Sequence, residues 1–175
     1  SNNAGLQSYL TKVMAYEAHQ NQTSVYNSAS KDWQKHIIHM VGGTTASQQL
    51  GFQAYMNFMK DTIEHDQFAG VVHTIKRDNE DPIPPGQLSE IMQRIEDGVS
   101  LMTYYGHYGI GDNGFEINLD DVSTWNNSGK YPLMLVNSCY NGDIFKNSET
   151  SSSEYFVNAQ NVGAIGYISS VSTGF

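Results

Sequence analysis

Apolar positions along this 175-residue chain fall into two alternating patterns. Short continuous apolar runs closed by glycine or polar turns read as strands buried on both faces. Between them lie longer segments with apolar residues three and four apart, the period of an amphipathic helix. The first such segment, Leu6 to Glu17, puts Leu6, Leu10, Val13 and Met14 on one face, with Ala18 just beyond, and that face is expected to pack inward. A polar stretch rich in Asn and Ser, Asn21 to Asp32, follows as a loop. Gln34 to Val41 is the first predicted strand and stops at Gly42-Gly43. Thr44 or Thr45 can cap the next helix, because a threonine hydroxyl accepts a free first-turn amide. That helix carries Leu50, Phe52, Tyr55, Met56, Phe58, Met59 and Ile63 and should end near His65-Asp66.

The alternation continues. Ala69 to Ile75 is a second strand, and Lys76 to Gly86, charged and holding three prolines, is a loop at its carboxyl end. Gln87 to Ile95 supplies a helix and Val99 to Tyr105 a third strand ending at Gly106-His107. Glycine-rich Tyr108 to Gly114 comes next, then a short helix around Leu119 to Val122. Leu133 to Val136 is the fourth strand and runs into Asn137-Ser138-Cys139 and a turn at Asn141-Gly142. Ser151 to Asn161 reads as a helix with capping serines, Glu154 near its start and Tyr155, Phe156 and Val157 packing inward. Gly163 to Ser169 is the fifth strand. Strands alternating with helices imply βαβ crossovers, hence an α/β fold with a mainly parallel sheet of about five strands and helices on both faces.

The length suits one domain over residues 1–175, with a leading helix and loop over 1–32 and an α/β core over 33–175. The polar start SNNAGLQ, and an end just beyond a strand where a covered sheet wants another helix, lead us to expect part of a longer polypeptide. Targeting signals therefore do not reveal a location.

Charge and cysteine count narrow the function. Nine basic against eighteen acidic residues give a net charge of −9, which offers no electrostatic footprint for nucleic acid or an anionic membrane surface. No stretch approaches the roughly 20 apolar residues of a membrane span. The single cysteine excludes an intramolecular disulfide and a cysteine-based zinc site.

That cysteine, Cys139, stands at the carboxyl end of a predicted strand, where open α/β sheets bind ligands. Cysteine catalysis needs a base within reach of the thiol, and His107 follows the neighbouring strand in the order. Gly106, Gly109, Gly111 and Gly114 leave backbone amides uncovered, as an oxyanion hole requires. A small buried cysteine and a mobile glycine-rich loop account for the same residues without chemistry. Other clusters are weaker. His36 and His39 are three apart on a strand and point to opposite faces, and His65 and His73 flank a turn without a third ligand. Asp112, Glu116, Asp120 and Asp121 lack the spacing of a calcium loop and read as a solvated loop. Gly42-Gly43 lacks the rest of a phosphate-loop motif.

Several segments, in order, resemble the catalytic domain of the gingipain family of cysteine peptidases, which share the caspase-like fold. They are Tyr9 to Glu17 followed by Trp33 and the strand ending at Gly42-Gly43, then Val99 to His107, Leu133 to Cys139 and Gly163 to Ser170. The resemblance implies His107 as general base and acid and Cys139 as nucleophile. It implies an oxyanion hole from the backbone N–H groups of Tyr108 and Cys139, with Gly106, Ser170, Ser172 and Phe175 lining the substrate cleft. It further implies a protein or peptide substrate, a thioester intermediate, no prosthetic group and an extracellular or cell-surface location linked to type IX secretion.

Two positions and one segment depart from the family pattern. Tyr108 follows the histidine where the family reads Gly-His-Gly, and Val41 replaces an acid before the glycine doublet. Thr44 to Phe58 has no Asp or Glu to form the acidic pocket of arginine-specific members. These departures define one alternative, a catalytically weak or inactive surface scaffold or adhesin module; the resemblance itself implies another, a sortase-like transpeptidase. A flavodoxin-like binding domain with a merely buried Cys139 is the third.

Overall fold

The computed structural model describes residues 3–21, 28–77, 85–107, 121–145 and 151–174. The strands are β1 (His36–Val41), β2 (Val71–Lys76), β3 (Leu101–Tyr105), β4 (Leu133–Asn137) and β5 (Gly166–Ser169). They form one parallel sheet in the order β2-β1-β3-β4-β5. The helices are α1 (Asn3–Gln20), α2 (Ser28–Lys31), α3 (Ala46–Ile63), α4 (Pro85–Asp97) and α5 (Ser152–Asn158).

Side chains along each strand alternate between the two faces of the sheet. Ile38, Met40, Met102, Tyr104, Met134 and Val136 point into the main core, where they meet Ile91 and Ile95 of α4 and Phe156 of α5. The opposite face receives α3, whose Met56 is buried and accepts a hydrogen bond at Sδ from Thr103 at 3.7 Å. α3 covers β1 and β2, while Leu133, Leu135 and Ile168 on the β4–β5 side of the sheet are exposed. The expected α/β architecture with five parallel strands is what the chain forms.

Local signals worked where they were chemical. Thr45 caps α3 by accepting from the Gln48 N–H at 3.3 Å, and Ser151 and Glu154 form a full capping box on α5. Other boundaries moved. The loop expected through Asp32 closes with α2 and a 3₁₀ turn over Asp32–Lys35, so β1 starts at His36. α4 begins at Pro85 inside the expected proline loop, because proline suits a first helical turn that has no N–H partner to lose. α5 ends at Asn158 since Ala159 turns to an extended ψ of 134°, and Tyr155 faces solvent rather than the core. The short helix expected at Leu119–Val122 is a 3₁₀ turn at Val122–Thr124, its earlier residues lying outside the described ones.

The larger correction concerns α1. Leu6, Leu10 and Met14 are 55%, 45% and 70% exposed, and the face turned inward carries Lys12, which is 0% exposed. The methylene stem of a lysine packs like an aliphatic chain provided that its head finds acceptors. Lys12 Nζ donates to the carbonyls of Val162 (2.9 Å), Ala164 (2.9 Å) and Phe156 (3.3 Å), one for each N–H of the ammonium. Burial pulls its pKa down to about 8, so at neutral pH the group remains charged and pins α1 to the turn between α5 and β5.

β1 holds the second buried base. His39 is fully enclosed beneath α3, and neither ring nitrogen finds a partner among the described residues. Burial, with Lys60 adding to it, lowers its pKa to about 4.

Two stability measurements follow from these groups. Replacing Lys12→Met removes three hydrogen bonds, leaves the Phe156 carbonyl only the Ala164 N–H, and should cost about 3 kcal/mol in urea unfolding at pH 7. His39 is neutral when folded and has its ordinary pKa when unfolded, so its contribution is complete above about pH 6.5 and is lost as pH falls toward 4. Urea midpoints across that window should show the parent losing up to about 3 kcal/mol more than His39→Leu; parallel pH profiles would refute the assignment.

Candidate active site

The two residues of interest emerge from adjacent strands at one height. In the β3–β4 register Tyr105 lies opposite Asn137, so His107 and Cys139 each stand two residues past a matched pair. Parallel neighbours run about 4.8 Å apart. The Gly106 N–H donates to the Asn137 carbonyl at 3.3 Å and carries the pairing one step beyond the strand. On the other side of β3, the Gly42 N–H donates to the Tyr105 carbonyl at 2.8 Å, and Gly43 turns away at φ 115°. β1 leads outward to β2 and β3 starts the opposite direction, so this rim contains the sheet's switch point, where α/β folds open a crevice.

His107 is half-buried and positioned from two sides. Tyr104 Oη donates to its carbonyl at 2.6 Å, fixing the backbone after the strand. From α3, Phe52 meets the imidazole edge-to-face at 6.0 Å and Tyr105 at 4.6 Å, and Tyr55 stacks on Tyr105 at 5.6 Å. Val41, just before the glycine doublet, is an enclosed core residue. Aromatic packing therefore contributes to holding this ring.

Cys139 opens a tight turn. Tyr140 takes φ 52°, a left-handed conformation unusual for a residue with a side chain. The turn is secured by Tyr140 N–H to Ser172 O (2.8 Å), Gly142 N–H to Ser170 O (2.9 Å) and Asp143 N–H to Tyr140 O (3.2 Å). Asn141 is buried and its Oδ1 accepts from Tyr167 Oη. No described residue accepts the Cys139 N–H. The thiol is half-buried, with Gly174 O 4.0 Å from Sγ.

Ser170 and Ser172, expected at the cleft, thus lie against the turn that presents the cysteine, and Gly106 is buried at the end of β3. Tyr108, Phe175, Asp112, Glu116 and Asp120 lie outside the described residues, as do Gly109, Gly111 and Gly114. Asp121 caps a 3₁₀ turn, accepting from the Ser123 N–H at 3.1 Å. Asn141, Tyr167 and Gly174 were not singled out from sequence; only the Asn-Gly turn signal marked the first. An apolar groove of about 440 Å³ runs below the rim between α3 and β4–β5, past Tyr55, Phe58, Leu135, Asn137 and Ile168, and none of its lining residues is charged.

The histidines resolve differently. His36 and His39 do face opposite ways. His73 pairs with His36 at 2.9 Å, not with His65, and the chain continues from His36 to Asp32 at 3.0 Å. Burial, then Arg94 and His36 beside it, lowers the His73 pKa. This pair begins the sheet, at the end opposite Cys139. Among the described residues no group of three or more His, Cys, Asp or Glu is arranged to hold a metal ion.

The model of peptidase family C25 matches residues 1–175, the whole chain. The chain belongs to this family, the gingipains. Among solved structures it is similar to the Arg-specific cysteine proteinase gingipain R (RgpB), at 18% identity and a TM-score of 0.67, covering all of this chain and 39% of that one. A structure described as a protease aligns over the whole chain at 17% identity, a TM-score of 0.68 and 36% of its own length. The complex of Porphyromonas gingivalis RgpB pro- and mature domains aligns over 91% of this chain and 38% of that one, at 19% identity and a TM-score of 0.61. No curated protein sequence gives a significant match. At these identities the likenesses speak for the fold, and the C25 member described here spans under two-fifths of the solved chains.

Proposed function

We propose that this C25 domain belongs to a cysteine endopeptidase in which Cys139 is the nucleophile and His107 the general base and acid. The observation that carries this reading is the parallel register that sends both residues out of adjacent strands, two positions beyond Tyr105 and Asn137. His107 takes the Sγ proton as sulfur attacks the scissile carbonyl carbon. The S–C bond forms and the carbonyl oxygen becomes an oxyanion. Its stabilisation falls to the Cys139 N–H, for which no described acceptor competes, together with the Tyr108 N–H. Collapse breaks the C–N bond, and His107 returns its proton to the departing amine. Water then attacks the thioester as His107 accepts its proton; the C–S bond breaks, and His107 returns the proton to sulfur as the carboxylic acid leaves. This cycle requires no prosthetic group.

Substrates are proteins or peptides, in keeping with the peptidase family. The uncharged groove and the absence of Asp or Glu from Thr44 to Phe58 argue against a preference for arginine before the scissile bond. Among the described residues no helix is long and apolar enough to cross a membrane. Export to the cell surface or medium, as in the gingipain relatives, is part of the same proposal.

A peptide acyloxymethyl ketone tests the pairing. Labelling should fall on Cys139, vanish in Cys139→Ala and slow by about 10²–10⁴-fold in His107→Ala, the usual contribution of a positioned base. A folded parent protein that resists labelling would instead favour a non-catalytic surface scaffold.

A further inference from the structure

The segment after β5 lies across the turn that presents Cys139. Tyr140 and Gly142 donate their N–H groups to Ser172 O and Ser170 O, so two backbone hydrogen bonds tie the segment to the turn. Ser170 Oγ adds a side-chain tie, lying within hydrogen-bond reach of Ser138 O and, at 3.1 Å, of Ser172 O. Gly174 closes the arrangement. A Cβ there would stand 2.7 Å from both the carbonyl carbon and oxygen of Ser138, so only glycine allows so close an approach. That approach sets Gly174 O 4.0 Å from Cys139 Sγ.

We propose that Ser170 to Gly174 form a latch over the nucleophile, with Ser170 as a positioning residue and the Gly174 peptide as the group held before the sulfur. The inference rests on reading Cys139 as the nucleophile and adds how its reactivity is set. The Gly174 carbonyl, 4.0 Å from Sγ, offers the thiol proton an acceptor that is not a base. The reacting carbon of a substrate must come within roughly 3–3.5 Å of sulfur, and the Gly174 peptide takes up part of that approach. An extended peptide therefore enters as Ser172 to Gly174 move off the turn. The Tyr140 N–H, released from Ser172, becomes a donor to the peptide's own backbone, as in strand addition at a sheet edge.

The test is the rate at which iodoacetamide alkylates Cys139 in the folded protein at neutral pH, followed by mass spectrometry. Ser170→Ala should react about fivefold faster, the population shift that loss of one hydrogen bond produces. Ser170→Thr, which keeps the hydroxyl, should retain the parent rate. Gly174→Ala removes no hydrogen-bonding group and forces the segment outward, so it should also react faster, giving an independent reading if Ser170→Ala folds poorly. Parent-like or slower alkylation in both Ser170→Ala and Gly174→Ala overturns the latch, as does a threonine variant as fast as the alanine one. Failure of the peptidase reading shows separately, as unaltered ketone labelling in His107→Ala.

Discussion

The constraint on which this site depends is the register between β3 and β4. Because Tyr105 is opposite Asn137, the chains leave the two strands at matched positions. A slip of one residue would turn every side chain of β4 to the other face. Met134 and Val136 are sealed in the core while Leu133 and Leu135 lie on the open side, so burial of the first pair enforces the register. Packing in the core and placement of the cysteine are thus one physical event.

Around that register the supporting groups divide by strand end. At the carboxyl rim, polar atoms are drawn into backbone ladders and the α3 aromatics hold His107. Away from the rim, two buried bases do structural work: Lys12 donates to three carbonyls around the α5–β5 turn, and His39 remains neutral under α3. The His36–His73 pair with Asp32 marks the opposite end of the sheet. Titratable groups that draw the eye in sequence are therefore mostly not those near the thiol.

Apolar periodicity revealed all five strands and the helices between them, because each strand is an apolar run, even in β4, where Leu133 and Leu135 lie on an open face. It misjudged α1, where Leu6, Leu10 and Met14 make the better apolar stripe and yet a lysine faces inward. What fixes that helix is three carbonyls from residues 156, 162 and 164, which no local pattern can anticipate. The positions of His107 and Cys139 at strand ends could be read, since each follows an apolar run directly. Gly174 could not, because its closeness to Ser138 arises from the fold of residues far apart in sequence. Nor could pairing of His73 with His36, which depends on β1 and β2 lying side by side.

The proposed attack of Cys139 on peptide bonds is tested by cleavage of a mixed peptide library by the full protein, compared by mass spectrometry with Cys139→Ala. New peptide termini should appear with the parent protein and be absent with Cys139→Ala. Cleavage that persists without the thiol, or a folded parent protein that cuts nothing in the library, would contradict the account.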